Sequence, residues 1–168
     1  MDITAFQALV LICAPLVNVQ TAQALAMVES GLNAHAIGVV GGGLLRQPKS
    51  RVEAVATARA LHAEGWNFSV GLTQINVRNF ERLGLSIDSA FDPCVNLRAM
   101  QTVLGDCVTR ASSRVGPAQP ATQLALRQGL SCYYSGNFAT GFKHGYVQRV
   151  LAAAARLTPT AIRSLEAR

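Results

Sequence analysis

The sequence predicts a mainly α-helical fold in a single domain covering residues 1–168. Three observations lead there. Most of the chain divides into segments whose apolar residues recur at helical spacing, those segments begin and end on cap and stop residues, and no repeat or linker separates them. A chain of 168 residues can bury a core without staples, and with half its residues apolar and 14% charged it is not disordered.

Residues 3–14 form an apolar first helix, stopped by Pro15. The run AFQALVLICAPLV at 5–17 resembles a signal h-region, and TAQA at 21–24 a cleavage site. Only Asp2 stands where a basic flank belongs, and Pro15 breaks a run already too short to span a bilayer, so it reads as a buried helix and not a transmembrane segment. Residues 19–30 form a second helix, with Asn18 or Thr21 as N-cap and Gly31 as stop. The segment 36–47, AIGVVGGGLLRQ, mixes β-branched residues with a glycine run and predicts a small hairpin or an extended loop. Residues 51–64 form an amphipathic helix ended by Gly65, and SVGLTQIN at 69–76 reads as a loop or short strand entering another helical turn. Asp92-Pro93 opens a long helix, 93–112, with proline in its first turn. A polar loop at 112–120, helices at 121–135 and 144–156, and a peripheral tail at 157–168 complete the chain, with the core expected within about 6–150.

The net charge of +6 fits a basic surface attracted to a polyanion such as the cell wall. Nucleic acid fits poorly, because the fifteen Lys and Arg are scattered and no basic run is interleaved with aromatics. The four cysteines, Cys13, Cys94, Cys107 and Cys132, show no C-x-x-C spacing, so no metal or other cofactor is expected and disulfides in an oxidising compartment are. If Cys94 and Cys107 share one helix they lie roughly 20 Å apart along its axis and cannot bridge. That leaves 13–94 with 107–132, or 13–107 with 94–132.

Glu29 is the residue whose placement points to chemistry. It follows Leu25 and Ala26 by one turn on the apolar stripe of its helix, in the last turn, where the helix dipole disfavours a carboxylate. Desolvation and dipole both favour the neutral acid, which is the form that can protonate a glycosidic oxygen. A two-carboxylate hydrolase needs a second acid about 5 to 9.5 Å away. Glu53 and Glu64 sit among charged neighbours, Asp92 reads as a helix cap, and Asp88, Asp106 and Glu166 read as solvent-facing, so a mechanism using one carboxyl group fits better. In SVGLTQIN, Gly71 permits close approach of substrate to backbone, while Gln74 and Asn76 offer amides suited to hydroxyl and N-acetyl groups. In SCYYSGN at 131–137, Tyr133 and Tyr134 offer phenols and ring faces to a cleft.

Taken in order, VESGLN (28–33), SVGLTQIN (69–76), FDPCVNL (91–97) and LSCYYSGN (130–137) resemble the signature blocks of the soluble lytic transglycosylase-like family, in its branch that accompanies type IV secretion systems. CAPLV (13–17), AIGVVGG (36–42), AVATARAL (54–61) and GYVQRV (145–150) fit the same branch. The resemblance implies a lysozyme-like fold, a periplasmic location with no export signal evident in this chain, and peptidoglycan strands as partner, with secretion-system components as further partners. It implies that Glu29 protonates the β-1,4 bond between N-acetylmuramic acid and N-acetylglucosamine, then acts as base while a 1,6-anhydro ring closes. It implies that Ser69, Gly71, Leu72, Thr73, Gln74, Ile75 and Asn76 line the cleft, Thr73 standing where many relatives carry methionine. Tyr133 matches a tyrosine that reaches the catalytic carboxyl region. Tyr134 stands where the family usually has asparagine and is expected to stack on a sugar, with Asn137 beside it in the binding set. A hydrolytic muramidase on this fold and a non-catalytic wall-binding assembly factor are the competing expectations.

Overall fold

The computed structural model describes residues 1–114 and 123–157. The elements, in chain order, are α1 (Ile3–Cys13), α2 (Val19–Ser30), β1 (Ile37–Val39), α3 (Arg51–Ala63), β2 (Phe68–Val70), β3 (Ile75–Asn76), a 3-10 turn (Val77–Asn79), α4 (Phe80–Leu83), α5 (Ile87–Ala90), α6 (Pro93–Ser112), α7 (Gln123–Ser135), α8 (Thr140–Lys143) and α9 (Tyr146–Leu157). This is the mainly α, lysozyme-like arrangement that the sequence predicts, with a small antiparallel sheet. The predicted loop beyond Arg114, the start of the predicted helix at 121–122, and the tail from 158 onward with Glu166 lie outside the described residues.

Helix ends follow cap chemistry. Asp2, Asn18, Ser50 and Asp92 each accept from a first-turn backbone N–H. Of the two candidates before α2, Asn18 is the cap, taking the N–H groups of Gln20 and Thr21. Gly31 stops α2 in the left-handed conformation at φ 62, which costs a residue with a Cβ about 1 kcal/mol.

Residues 36–47 do not form a hairpin of their own. Only Ile37–Val39 is strand, and it pairs antiparallel with β2, Ile37 opposite Val70 and Val39 opposite Phe68. β2 then turns back into β3, with Ser69 opposite Asn76. The other edge of β1 is satisfied by one side chain: the Gln47 amide accepts from Ile37 N at 2.8 Å and donates to Ile37 O at 2.9 Å. A side-chain amide thus stands in for a neighbouring strand along that edge.

The core runs from Phe6 and Val10 of α1 to Val147 and Val150 of α9. Helix α2 passes through it on small residues, with Ala22, Ala24 and Ala26 all fully buried, which lets α9 lie close against it. Cys13 pairs with Cys94 and Cys107 with Cys132, at Cα separations of 5.2 and 5.7 Å, the first of the two pairings left open above. By chain entropy these closures, spanning 81 and 25 residues, contribute on the order of 4–5 and 3–4 kcal/mol. Among the described residues, no helix is long and apolar enough to cross a membrane.

Candidate active site

Glu29 sits one residue before the end of α2 and lines a groove of about 710 Å³ between the sheet side and helices α7 and α8. Its side chain is mostly buried. The Tyr146 hydroxyl donates to its Oε1 at 2.5 Å, while no described residue hydrogen-bonds Oε2. Burial raises the Glu29 carboxyl to about 7, and the Tyr146 hydrogen bond and the nearby Arg149 charge only partly counter it. The carboxyl is therefore about half protonated at neutral pH, with one oxygen fixed by a phenol.

Both phenols beside Glu29 stay protonated. Burial, then the Glu29 charge, pushes Tyr133 and Tyr146 well above the usual tyrosine range. Tyr146 is a donor at every physiological pH.

The 69–76 segment forms the facing wall, and its shape is set by groups behind it. Asn96, fully buried on α6, donates to Val70 O at 3.0 Å and Ala90 O at 2.9 Å, and accepts from Thr73 N at 2.9 Å and Thr73 Oγ1 at 2.7 Å. Gly71, at φ +81, is where this amide presses: a Cβ there would come within 2.4 Å of Asn96 Nδ2. The close approach that Gly71 permits is therefore that of Asn96, not of substrate. Ser30 Oγ donates to Leu72 O at 2.7 Å, Tyr133 OH to Thr73 O at 2.7 Å, and Gln74 Nε2 to Gly71 O at 3.0 Å. Gln74 itself is held at φ 50, a strained conformation for a residue with a Cβ, fixed by its own amide, which also donates to Ala36 O at 3.1 Å. Every carbonyl of this turn from Gly71 to Thr73 is engaged, so the wall is rigid.

The expected site residues divide accordingly. Glu29, Ser69, Gln74, Asn76, Tyr133 and Tyr134 line the groove. Leu72, Thr73 and Ile75 are buried beneath it and present no side chain to a ligand; Thr73 Oγ1 is turned to Asn96. Tyr133 reaches the site through Thr73 O and not through a bond to Glu29. Asn137 caps the chain beyond α7, accepting from Ala139 N at 3.0 Å and Thr140 N at 2.8 Å. Tyr134 stacks on Tyr146, with centroids 4.6 Å apart, and is 41% exposed. His144 stands 3.3 Å from its hydroxyl.

The site gives no second acid. Among the described residues lining the groove, Glu29 is the only carboxylate. Glu53 pairs with Arg46, Asp88 with Arg59 and Asp106 with Arg82, Glu64 accepts from the Trp66 indole, and Asp92 caps α6. Two residues central to this geometry, Tyr146 and Asn96, went unselected in the sequence. Each is a polar group on a buried helical stripe, beside Val147 and Val150 for Tyr146 and beside Leu97 and Met100 for Asn96. The signal that marks Glu29, a polar group on a buried helical stripe, marks both.

The transglycosylase SLT domain family matches residues 11–150. The type IV secretion system protein virB1 of Brucella suis biovar 1 (strain 1330) is 50% identical over 147 residues, covering 84% of this chain and 60% of the relative. Protein virB1 of Agrobacterium fabrum (strain C58) is 38% identical over 153 residues, covering 88% of this chain and 58% of the relative. The chain thus spans about 60% of the length of the curated relatives it matches. No solved structure matches it.

Proposed function

This chain belongs to the transglycosylase SLT domain family, and from that premise we propose that it is a peptidoglycan lytic transglycosylase with Glu29 as its acid and base. The observation that carries the reading is a buried carboxyl, pushed up towards its neutral form by that burial, which is the only carboxylate among the described residues lining the groove.

With Oε1 held by Tyr146, the free oxygen of Glu29 carries the transferable proton into the groove. It protonates the oxygen of the β-1,4 bond between N-acetylmuramic acid and N-acetylglucosamine, and the N-acetylglucosamine side leaves as a neutral alcohol. The resulting carboxylate takes the proton of the muramyl 6-hydroxyl as that oxygen bonds to the anomeric carbon. The ring closes to a 1,6-anhydro end, Glu29 is neutral again, and no water is consumed. The 2-N-acetyl group of the substrate supports the developing positive charge. Ser69, Gln74 and Asn76 supply hydroxyl and amide groups for the sugars, and the exposed edge of Tyr134 supplies a ring surface.

The Brucella suis relative is named a type IV secretion system protein. The matching role for this chain is local opening of the periplasmic wall where a secretion channel assembles, in contact with its components.

The test is digestion of purified sacculi followed by mass spectrometry of the fragments. Anhydromuramoyl ends are expected, and Glu29→Gln is expected to bind strands without cutting them. Reducing ends would establish the hydrolytic muramidase instead. Binding without any cleavage by the wild type would leave the non-catalytic assembly factor.

A further inference from the structure

The groove does not end at Tyr133. A second cavity, of about 570 Å³, shares Asn79, Tyr133 and Gly136 with it and runs past the Cys107–Cys132 disulfide. Two arginines line this side cavity, and they differ in one respect. Arg82 is neutralised by Asp106 at 2.7 Å. Arg110 forms no ion pair with any described carboxylate, and the segment 115–122, VGPAQPAT, contains no acid to supply one.

Arg110 is nevertheless held in place. Its guanidinium lies 5.5 Å from the centroid of the Phe138 ring, and Nη1 points to Cys132 Sγ at 3.7 Å. A stacked guanidinium retains donors at its edge, and its planar fork matches a carboxylate. Arg114 lies 5.0 Å from the same ring and adds positive charge nearby. Counting Asp106 against Arg82, the cavity keeps one positive charge that no described residue compensates.

We propose that this cavity binds a carboxylate of the peptide branch carried by a sugar seated in the groove, with Arg110 as its partner. The inference rests on the peptidoglycan reading above. The sugar chain itself is uncharged and is served by amides and rings. The carboxylates of that polymer lie on its peptide branches, so an unpaired, positioned arginine one cavity away from the acid makes the protein a reader of peptide-bearing strands and not of bare glycan.

The test compares strands that keep their peptides with the same strands stripped by an amidase and then amidated at the lactyl carboxylates that stripping frees, so that the bare strand carries no charge, each titrated against the Glu29→Gln protein. Peptide-bearing strands are expected to bind about five- to tenfold more tightly, the scale of one charge-assisted contact at a partly exposed site. Adding Arg110→Gln is expected to bring the two affinities together, and Arg110→Lys to restore only part of the gap because an ammonium lacks the fork. Arg110 is exposed and makes no ion pair, so the melting temperature should hold and confirm that folding is intact. Equal binding of both strands by the Glu29→Gln protein, or an equal loss for both on Arg110→Gln, overturns the proposal while leaving the transglycosylase reading in place. Failure of the wild type to cleave either strand removes that reading first, and this one with it.

Discussion

The hydroxyl of Tyr146 on α9 donates to the carboxyl of Glu29 on α2 at 2.5 Å, across 117 residues of sequence. Because burial keeps the phenol protonated, the bond has one direction, and it decides which carboxyl oxygen faces the groove. The same ring carries Tyr134 on its face, so α9 sets both the acid's orientation and part of the groove's aromatic wall.

Tyr146→Phe should change the pH profile as well as the rate. The hydrogen bond favours the carboxylate and pulls Glu29 down towards about 7, so its loss lifts the carboxyl higher. The free enzyme needs the neutral acid, so the alkaline limb of kcat/KM is expected to move to higher pH. With the carboxyl no longer oriented, kcat should fall by about tenfold or more. A limb that stays in place with kcat unchanged would show that Tyr146 plays no orienting part.

Glu29→Gln should stabilise the protein, and more so at high pH. A carboxyl raised from 4.5 to about 7 on folding binds its proton more tightly in the native state. Stability is then full below about 4.5 and falls as pH rises through 7, by roughly 3 kcal/mol in all. Glutamine can still accept from Tyr146 and carries no charge to bury. Thermal melts of the two proteins are expected to agree near pH 4 and to separate by several degrees at pH 8, the variant higher.

The wall behind the groove should prove as sensitive as the acid. Asn96→Ala orphans Thr73 N–H and two backbone carbonyls in a dry interior, and Gly71→Ala drives a methyl into Asn96 from a left-handed backbone. Each is expected to cost about 2–4 kcal/mol in denaturant unfolding and to reduce activity even where the protein remains folded. A neutral effect of Asn96→Ala on both would mean that the 71–76 turn holds its shape without it.

Much of this site was legible in the sequence because local chemistry specifies it. Glu29 declared itself by lying on an apolar stripe in a last helical turn, and Asn18, Asp92 and Gly31 declared their helix ends. Among the described residues, Glu53, Glu64, Asp88, Asp92 and Asp106 hold the surface or capping places that their sequence neighbours suggest. The misreadings share one cause. Gly71 was given to substrate, and 36–47 was left between a small hairpin and an extended loop, because the true neighbours of each are set by packing or backbone geometry that spacing does not report.

By itself, the sequence determined where the long helices α1, α2, α3, α6, α7 and α9 lie, and which carboxyl is driven towards its neutral form, because capping, periodicity and burial of a stripe act within a few turns; the one-turn helices α5 and α8 carry too short a period to be read. Only the tertiary structure decided that Tyr146 holds that carboxyl, that Asn96 shapes the opposing turn, and that Cys13 pairs with Cys94. Those contacts join residues between 23 and 117 positions apart, and a directional bond of under 3 Å exists only once the helices carrying its partners have packed.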